Sequence, residues 1–212
     1  MSIKKSNRFG WGPDCIISKT RLEFLRSQVT GNKIIDIGCG PGHLVKFLSR
    51  FSYQVTGIDR HTYGNKNIIK AQASKLPFPG NSFNTAFLNN VLEHNQNDSK
   101  ILAEALRVSP RVIITVPQKC PDTLKSRGVV YQHYQDRSHL RTYTTTTLRL
   151  LVNKSGGKIT KLIPIEPLPN RELFSELITG SIFWRKLLAR IIFILFPPQP
   201  YYLELVAVVT RH

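Results

Sequence analysis

Between Lys33 and Leu48 the chain passes from Lys33-Ile34-Ile35-Asp36-Ile37 into Gly38-Cys39-Gly40-Pro41-Gly42 and then into His43-Leu44-Val45-Lys46-Phe47-Leu48. Three isoleucines in five residues, closed by glycine, read as a short strand buried on both faces. Alternating glycines then mark a sharp turn, because glycine enters left-handed backbone without the steric cost other residues carry. A buried strand that turns through glycines into a helix is the opening unit of a parallel α/β sheet, and few other folds accommodate it.

The rest of the chain continues that alternation. Tyr53 to Ile58 reads as a second strand finishing at Asp59, Ile68 to Ala71 as a short third and Phe83 to Leu88 as a fourth. A helix is expected from about Asp98 to Arg107, a fifth strand from Arg111 to Val116, a helix near Thr145 to Lys154 and a strand from Lys158 to Ile163. Tyr202 to Thr210 reads as the last strand. Upstream, Asp14 can cap a helix carrying Ile17, Leu22, Phe24 and Leu25, which Gly31-Asn32 ends. The pattern predicts a doubly wound, mostly parallel sheet with helices on both faces and a helical insertion before the last strand. At 212 residues the chain suits one domain over 1–212. Its parts would be an N-terminal helical extension (1–30), a cofactor-binding half (31–120) and a substrate-side half (121–212).

The glycine turn has a chemical use. Backbone without Cβ atoms lets a ligand approach closely, and the helix start offers unpaired N–H groups. An acid at the end of the next strand lies beside the same crevice, where its two oxygens can accept from the two hydroxyls of a ribose. Asp59 stands in that place. His43 occupies the position where the dinucleotide fingerprint Gly-x-Gly-x-x-Gly needs its third glycine, so a nicotinamide cofactor is disfavoured. The Gly-Lys-Ser/Thr ending of a nucleotide-triphosphate loop does not occur either.

Ile35-Asp36-Ile37-Gly38-Cys39-Gly40-Pro41-Gly42 resembles the first motif of the class I methyltransferases, which are Rossmann-like, and Val55-Thr56-Gly57-Ile58-Asp59 resembles the second. Leu76-Pro77-Phe78-Pro79-Gly80-Asn81-Ser82-Phe83, followed by Val91-Leu92-Glu93-His94, is similar to a stretch characteristic of the type 11 subgroup. The resemblance runs over about residues 30 to 120. It implies S-adenosyl-L-methionine as cofactor. Gly38, Cys39, Gly40 and Gly42 would lie against its methionine and ribose parts, Asp36 near its amino group, and Asp59 with Arg60 at the ribose. Gln72, where the family usually has an acid, and Ala73 would meet the adenine, and Asn89 would lie beside the sulfonium. Asn84 and Gly80 stand where the family usually has Asp.

Methyl transfer from a sulfonium needs alignment and exclusion of water more than an invariant catalytic group. For a hydroxyl acceptor His94, His133 and His139 are the candidate bases, since a neutral imidazole takes a proton near pH 7. Some quinone-type relatives hold a metal through Glu-x-x-Glu-His. The corresponding Asn90-Val91-Leu92-Glu93-His94 lacks the first carboxylate, so no metal site is expected. Three scattered cysteines, Cys15, Cys39 and Cys120, offer neither a zinc spacing nor an evident disulfide. The loop with Tyr131, His133, Tyr134, Asp136, Arg137, His139, Arg141 and Tyr143 follows the fifth strand and is either substrate-contacting or an ordinary polar surface.

The segment 181–196 is too short and charged to span a bilayer. Phe183, Trp184, Leu187, Leu188, Ile191, Ile194 and Leu195 share one side of its helical wheel, with Arg185, Lys186 and Arg190 opposite. It either packs on the core near the substrate pocket or lies in a membrane interface. The net charge of +17 favours anionic partners without choosing among nucleic acid, lipid headgroups and phosphorylated metabolites. The acceptor is therefore expected to be a small molecule or a lipid-linked or glycan metabolite. An RNA methyltransferase and a non-catalytic cofactor-binding protein of the same fold are the alternatives. No apolar stretch follows the charged N-terminus, so the expected location is cytoplasmic, or peripheral at a membrane.

Overall fold

The computed structural model describes residues 19–65, 68–119, 138–167 and 202–212, together with 181, 183, 184, 187, 188 and 191. The Asp14 cap, Cys15, Cys120, the loop from Tyr131 to Arg137 and most of the 181–196 helix lie outside these residues. In chain order the elements are α1 (Lys19–Ser27), β1 (Lys33–Ile37), α2 (His43–Leu48), β2 (Gln54–Asp59), β3 (Ile68–Lys70), β4 (Thr85–Asn89) and a 3-10 turn at Leu92–His94. They continue as α3 (Asp98–Val108), β5 (Arg111–Pro117), α4 (Thr145–Lys154), β6 (Gly157–Pro167) and β7 (Tyr202–Arg211).

Seven strands form one sheet in the order β3-β2-β1-β4-β5-β7-β6. β1 to β5 are parallel, whereas β7 runs antiparallel to both β5 and β6. The sheet thus reverses direction of travel on either side of β1, which opens a crevice at the carboxyl ends of β1 and β4.

Burial on both faces explains why these strands read as continuous apolar runs. Ile35 and Ile37 of β1 pack with Leu102 and Leu106 of α3 and Leu148 and Val152 of α4. Ile34, on the opposite face, packs with Leu25 of α1 and Leu44, Phe47 and Leu48 of α2. Each such large side chain removed from water contributes roughly 1.5–3 kcal/mol before the entropy of ordering is set against it.

Several ends differ from expectation for identifiable reasons. The fourth strand starts at Thr85 instead of Phe83, because Asn84 turns aside to cap the entry of β1. Its Oδ1 accepts from the backbone N–H groups of Asn32 at 3.2 Å and Lys33 at 3.0 Å. Either Asn or Asp can supply that oxygen, so the departure from the family pattern at position 84 costs nothing here. Phe83 instead meets Phe78 edge-on at 5.0 Å. β6 runs past Ile163 to Pro167 despite Pro164, since it is the outer strand of the sheet, and an edge strand tolerates a missing donor. At α4 the Thr144 side chain accepts from the backbone N–H of Thr147, whose own side chain accepts from that of Thr144.

Candidate active site

The glycine turn is stapled to the neighbouring strand before any ligand is considered. The N–H groups of Gly38 and Cys39 both donate to the carbonyl of Ile58, at 2.7 and 3.0 Å. Gly38, Gly40 and Gly42 all have positive φ, at 74°, 54° and 87°. A Cβ added to Gly38 would sit 2.6 Å from Val91 Cγ2, whereas one added to Gly40 would meet nothing within 4 Å and stand in open space. Position 38 therefore needs glycine for packing, and position 40 presents bare backbone to a cleft.

Asp59, at the end of β2, is fixed by main-chain donors. Its Oδ2 accepts from the Gly40 N–H at 2.9 Å and its Oδ1 from the His61 N–H at 2.9 Å. Each oxygen keeps a further lone pair, so a vicinal diol can be held with both hydroxyls donating. The carboxylate borders a cavity of about 580 Å³. Gly38 and Gly40 form one wall, Gln72, Ala73 and Ser74 another, and Asn90, Val91, His94 and Ser138 a third. Arg60 and Tyr63 complete the Asp59 side. That size lies within the range of small-molecule sites.

Asp36 is 2% exposed, and its Oδ1 has no hydrogen-bond partner among the described residues. Burial, with the Asp59 charge nearby, pushes its carboxyl up to about 7. A buried acid left incomplete next to a glycine cradle is a place for a cationic or hydrogen-bond-donating ligand. Burial likewise pushes the Cys39 thiol up, so it is no nucleophile, and its Sγ points back to the Gly40 carbonyl at 3.6 Å.

Of the residues predicted from sequence, Gly38, Gly40, Asp59, Arg60, Gln72, Ala73 and His94 border the cavity. Asp36, Cys39, Gly42 and Asn89 do not. Asn89 is displaced by its own hydrogen bonds. Its Oδ1 accepts from Thr115 Oγ1 at 2.6 Å and from Arg21 Nη2 at 2.9 Å, and the next residue, Asn90, takes the cavity wall instead. His133 lies outside the described residues. His139 stacks edge-on against His94 at 4.7 Å, and His94 Nδ1 lies 3.0 Å from Ser138 Oγ. Glu93, His94 and His139 each bring a potential ligand atom within 4.8 Å of the others, a grouping that can hold a divalent ion. The motif spacing that argued against a metal did not include His139, which is brought in from 45 residues beyond His94 by the fold.

Within the aromatic loop, Arg141 and Tyr143 are engaged elsewhere. Arg141 Nη1 lies 2.6 Å and Tyr143 Oη 3.0 Å from Asp98 Oδ2, in the first turn of α3. They anchor the end of the loop, and among its described residues Ser138 borders the cavity. Sequence reasoning did not name Ser138 and Asn90, which border the cavity, as site residues; it named their neighbours His139 and Asn89.

Parallel strands, a crevice at the strand-order reversal and an acid held beside a glycine turn define a domain of Rossmann type. Comparison with known proteins narrows this. Residues 35–111 match the type 11 family described as a methyltransferase domain. The Arabidopsis thaliana cycloartenol-C-24-methyltransferase is 34% identical over 88 residues, covering 32% of this chain and 26% of that one. The Nitrosococcus oceani ubiquinone biosynthesis O-methyltransferase is 44% identical over 45 residues, covering 20% of this chain and 19% of that protein. The chain thus spans less than a third of either relative. Among solved structures, a SAM-dependent methyltransferase from Archaeoglobus fulgidus superposes with a TM-score of 0.66 at 16% identity, covering 91% of this chain and 92% of the other. Residues 35–111 are thus similar to the type 11 methyltransferase domain, and the fold is the one seen in solved SAM-dependent methyltransferases.

Proposed function

We propose that the chain transfers a methyl group from S-adenosylmethionine to a hydroxyl of a small-molecule or lipid-linked acceptor. The observation that carries this is one cavity bordered both by Asp59 and the bare Gly40 backbone and by His94 with Ser138. The donor residues fit the cofactor. Asp59 offers oxygens to a ribose, Asp36 an unsatisfied carboxyl to a cationic group, and the turn at 72–74 a backbone edge to the base. When bound, the cofactor supplies a methyl group already activated by positive charge.

The chain then has to align the acceptor, exclude water and take a proton. With a proton on Nδ1 donated to Ser138, His94 presents the lone pair of Nε2 as the base. His139, packed against its face, restricts the ring's rotation. His94 Nε2 would take the acceptor's proton as the acceptor oxygen takes the methyl group, the methyl–sulfur bond of the donor breaking to leave S-adenosylhomocysteine. Relatives named for quinone O-methylation and sterol methylation make hydrophobic acceptors reasonable. We read the whole chain as one domain, since β6 and β7 of the second half complete the sheet of the first.

A membrane location for this chemistry is supported by the described part of the insertion between β6 and β7. Phe183, Trp184, Leu188 and Ile191 are 69%, 66%, 45% and 45% exposed, in a protein of net charge +17. We propose peripheral binding to an anionic cytoplasmic membrane surface. No helix among the described residues is long and apolar enough to cross a bilayer.

Titration calorimetry with S-adenosylmethionine and S-adenosylhomocysteine on the wild type and Asp59→Ala tests the central reading. The variant should lose about 10- to 150-fold in affinity, the worth of hydrogen bonds to a charged acceptor. Equal affinity of the two proteins would remove the donor site from this cleft. Binding to RNA that collapses with salt would move the acceptor to nucleic acid.

A further inference from the structure

At the carboxyl edge of β4 five polar side chains close a ring that donor binding, as described so far, does not use. Arg21 on α1 places Nη1 2.8 Å from Glu204 Oε2 on β7, and donates through Nη2 to Asn89 Oδ1 at 2.9 Å. Thr115 Oγ1 donates to that same Asn89 oxygen at 2.6 Å and accepts from the Asn90 N–H at 3.1 Å. Asn90 Nδ2 donates to Glu204 Oε1 at 2.9 Å, which completes the circuit. Four elements, α1, β4, β5 and β7, meet here, and the Arg21 and Glu204 side chains are only 11% and 4% exposed.

A buried ion pair is a poor source of stability, because taking both charges out of water costs about as much as their attraction returns. What a connected polar ring does supply is fixed geometry. The part held here is Asn90, whose φ of 53° is left-handed, a conformation non-glycine residues rarely adopt. Its backbone N–H is bound to the Thr115 carbonyl at 3.0 Å as well as to the Thr115 hydroxyl, and its side chain to Glu204. The turn at Asn90 delivers Val91 onto Gly38, so closely that no Cβ fits between them. Asn90, Val91 and Gly38 all border the donor cavity.

We infer that Arg21 and Glu204 are positioning residues for the donor. They hold Asn90 in its left-handed turn and, through Val91, set the width of the cavity beside Gly38, which makes α1 part of the site although it does not border the cavity. This rests on the donor reading above.

The test is a mutant cycle read as the dissociation constant of S-adenosylhomocysteine, measured by calorimetry at a temperature where circular dichroism shows each protein folded. Replacing the pair together, Arg21→Met with Glu204→Met, removes the charges while keeping apolar bulk. With Asn90 present, the replacement should weaken binding about tenfold or more. In an Asn90→Gly background, where glycine takes the left-handed turn unaided, it should cost less than about threefold, a coupling of at least about threefold, which is within the range found for residues of one hydrogen-bond network. Equal losses in both backgrounds, or none in either, would overturn the inference and leave the ring a stability element. Should the double replacement not fold, Glu204→Gln alone runs the same cycle. Failure of the wild type itself to bind would remove the donor reading, and this inference with it.

Discussion

Replacing Asp36 by Asn should make the ligand-free protein more resistant to unfolding at alkaline pH while abolishing tight donor binding. Buried in the folded chain, the Asp36 carboxyl holds its proton up to about pH 7, against an ordinary value of 3.8 when unfolded. Between those values the unfolded chain releases a proton that the folded chain retains, so raising the pH drives unfolding. Stability from this group is complete below about pH 4, declines through pH 7 and levels off above it. The shift of about three units corresponds to about 4 kcal/mol as an upper figure. Asparagine does not ionise. It leaves a polar group poorly satisfied in the same place, at about 1–3 kcal/mol, but this cost does not vary with pH. The quantity to measure is therefore the difference in unfolding free energy between variant and wild type, from urea titrations between pH 4.5 and pH 8.5. It should move in the variant's favour by roughly 2–4 kcal/mol across that span, the other carboxylates cancelling. A difference that stays flat with pH would refute the reasoning, since Asp36 would then be ionised in the fold or solvated. A stabilised variant with a ruined site is the ordinary exchange between binding geometry and stability.

Two glycines of one turn should fail in opposite ways. Gly38→Ala drives a methyl into Val91 at positive φ and should cost about 2–4 kcal/mol, seen as a clearly lower Tm. Gly40→Ala adds only backbone strain of about 1–2 kcal/mol, but its methyl enters the cleft, so S-adenosylhomocysteine affinity should fall far more than Tm. His94→Gln should reduce product formation with alcohol and phenol acceptors by about 10²- to 10⁴-fold and leave donor affinity unchanged; an unaltered rate would exclude it as the base. Phe183→Ser with Trp184→Ser should reduce sedimentation with phosphatidylserine-rich vesicles by about tenfold or more, and unchanged sedimentation would remove this face from membrane binding.

What could be read from sequence followed the range of the forces involved. The turn at Gly38 to Gly42 and the acid at Asp59 were legible because their conformations are set by neighbours one strand away. So was the alternation of strands and helices, because burial on two faces leaves an apolar signature. The expected end of β6 at Ile163 fell short of Pro167, because the tolerance of proline at an edge position depends on sheet order and not on local propensity. Asn89 was assigned to the donor, but its hydrogen bonds to Arg21 and Thr115 span 68 and 26 residues, and no local pattern announces them. The meeting of His139 with Glu93 and His94, and the service of Arg141 and Tyr143 to Asp98, are contacts of the same long-range kind.

The antiparallel pairing of β6 with β7 brings Pro167 opposite Tyr202, and Glu204 opposite Pro117, at the end of the sheet where the donor cleft opens. The stretch 168–201 is therefore attached at both its ends to the carboxyl edge of the sheet, the edge at which β2 ends in Asp59 and β1 runs into the glycine turn. Length and composition can consequently change there without a break in β1 or β2, the strands that carry the glycine turn and Asp59.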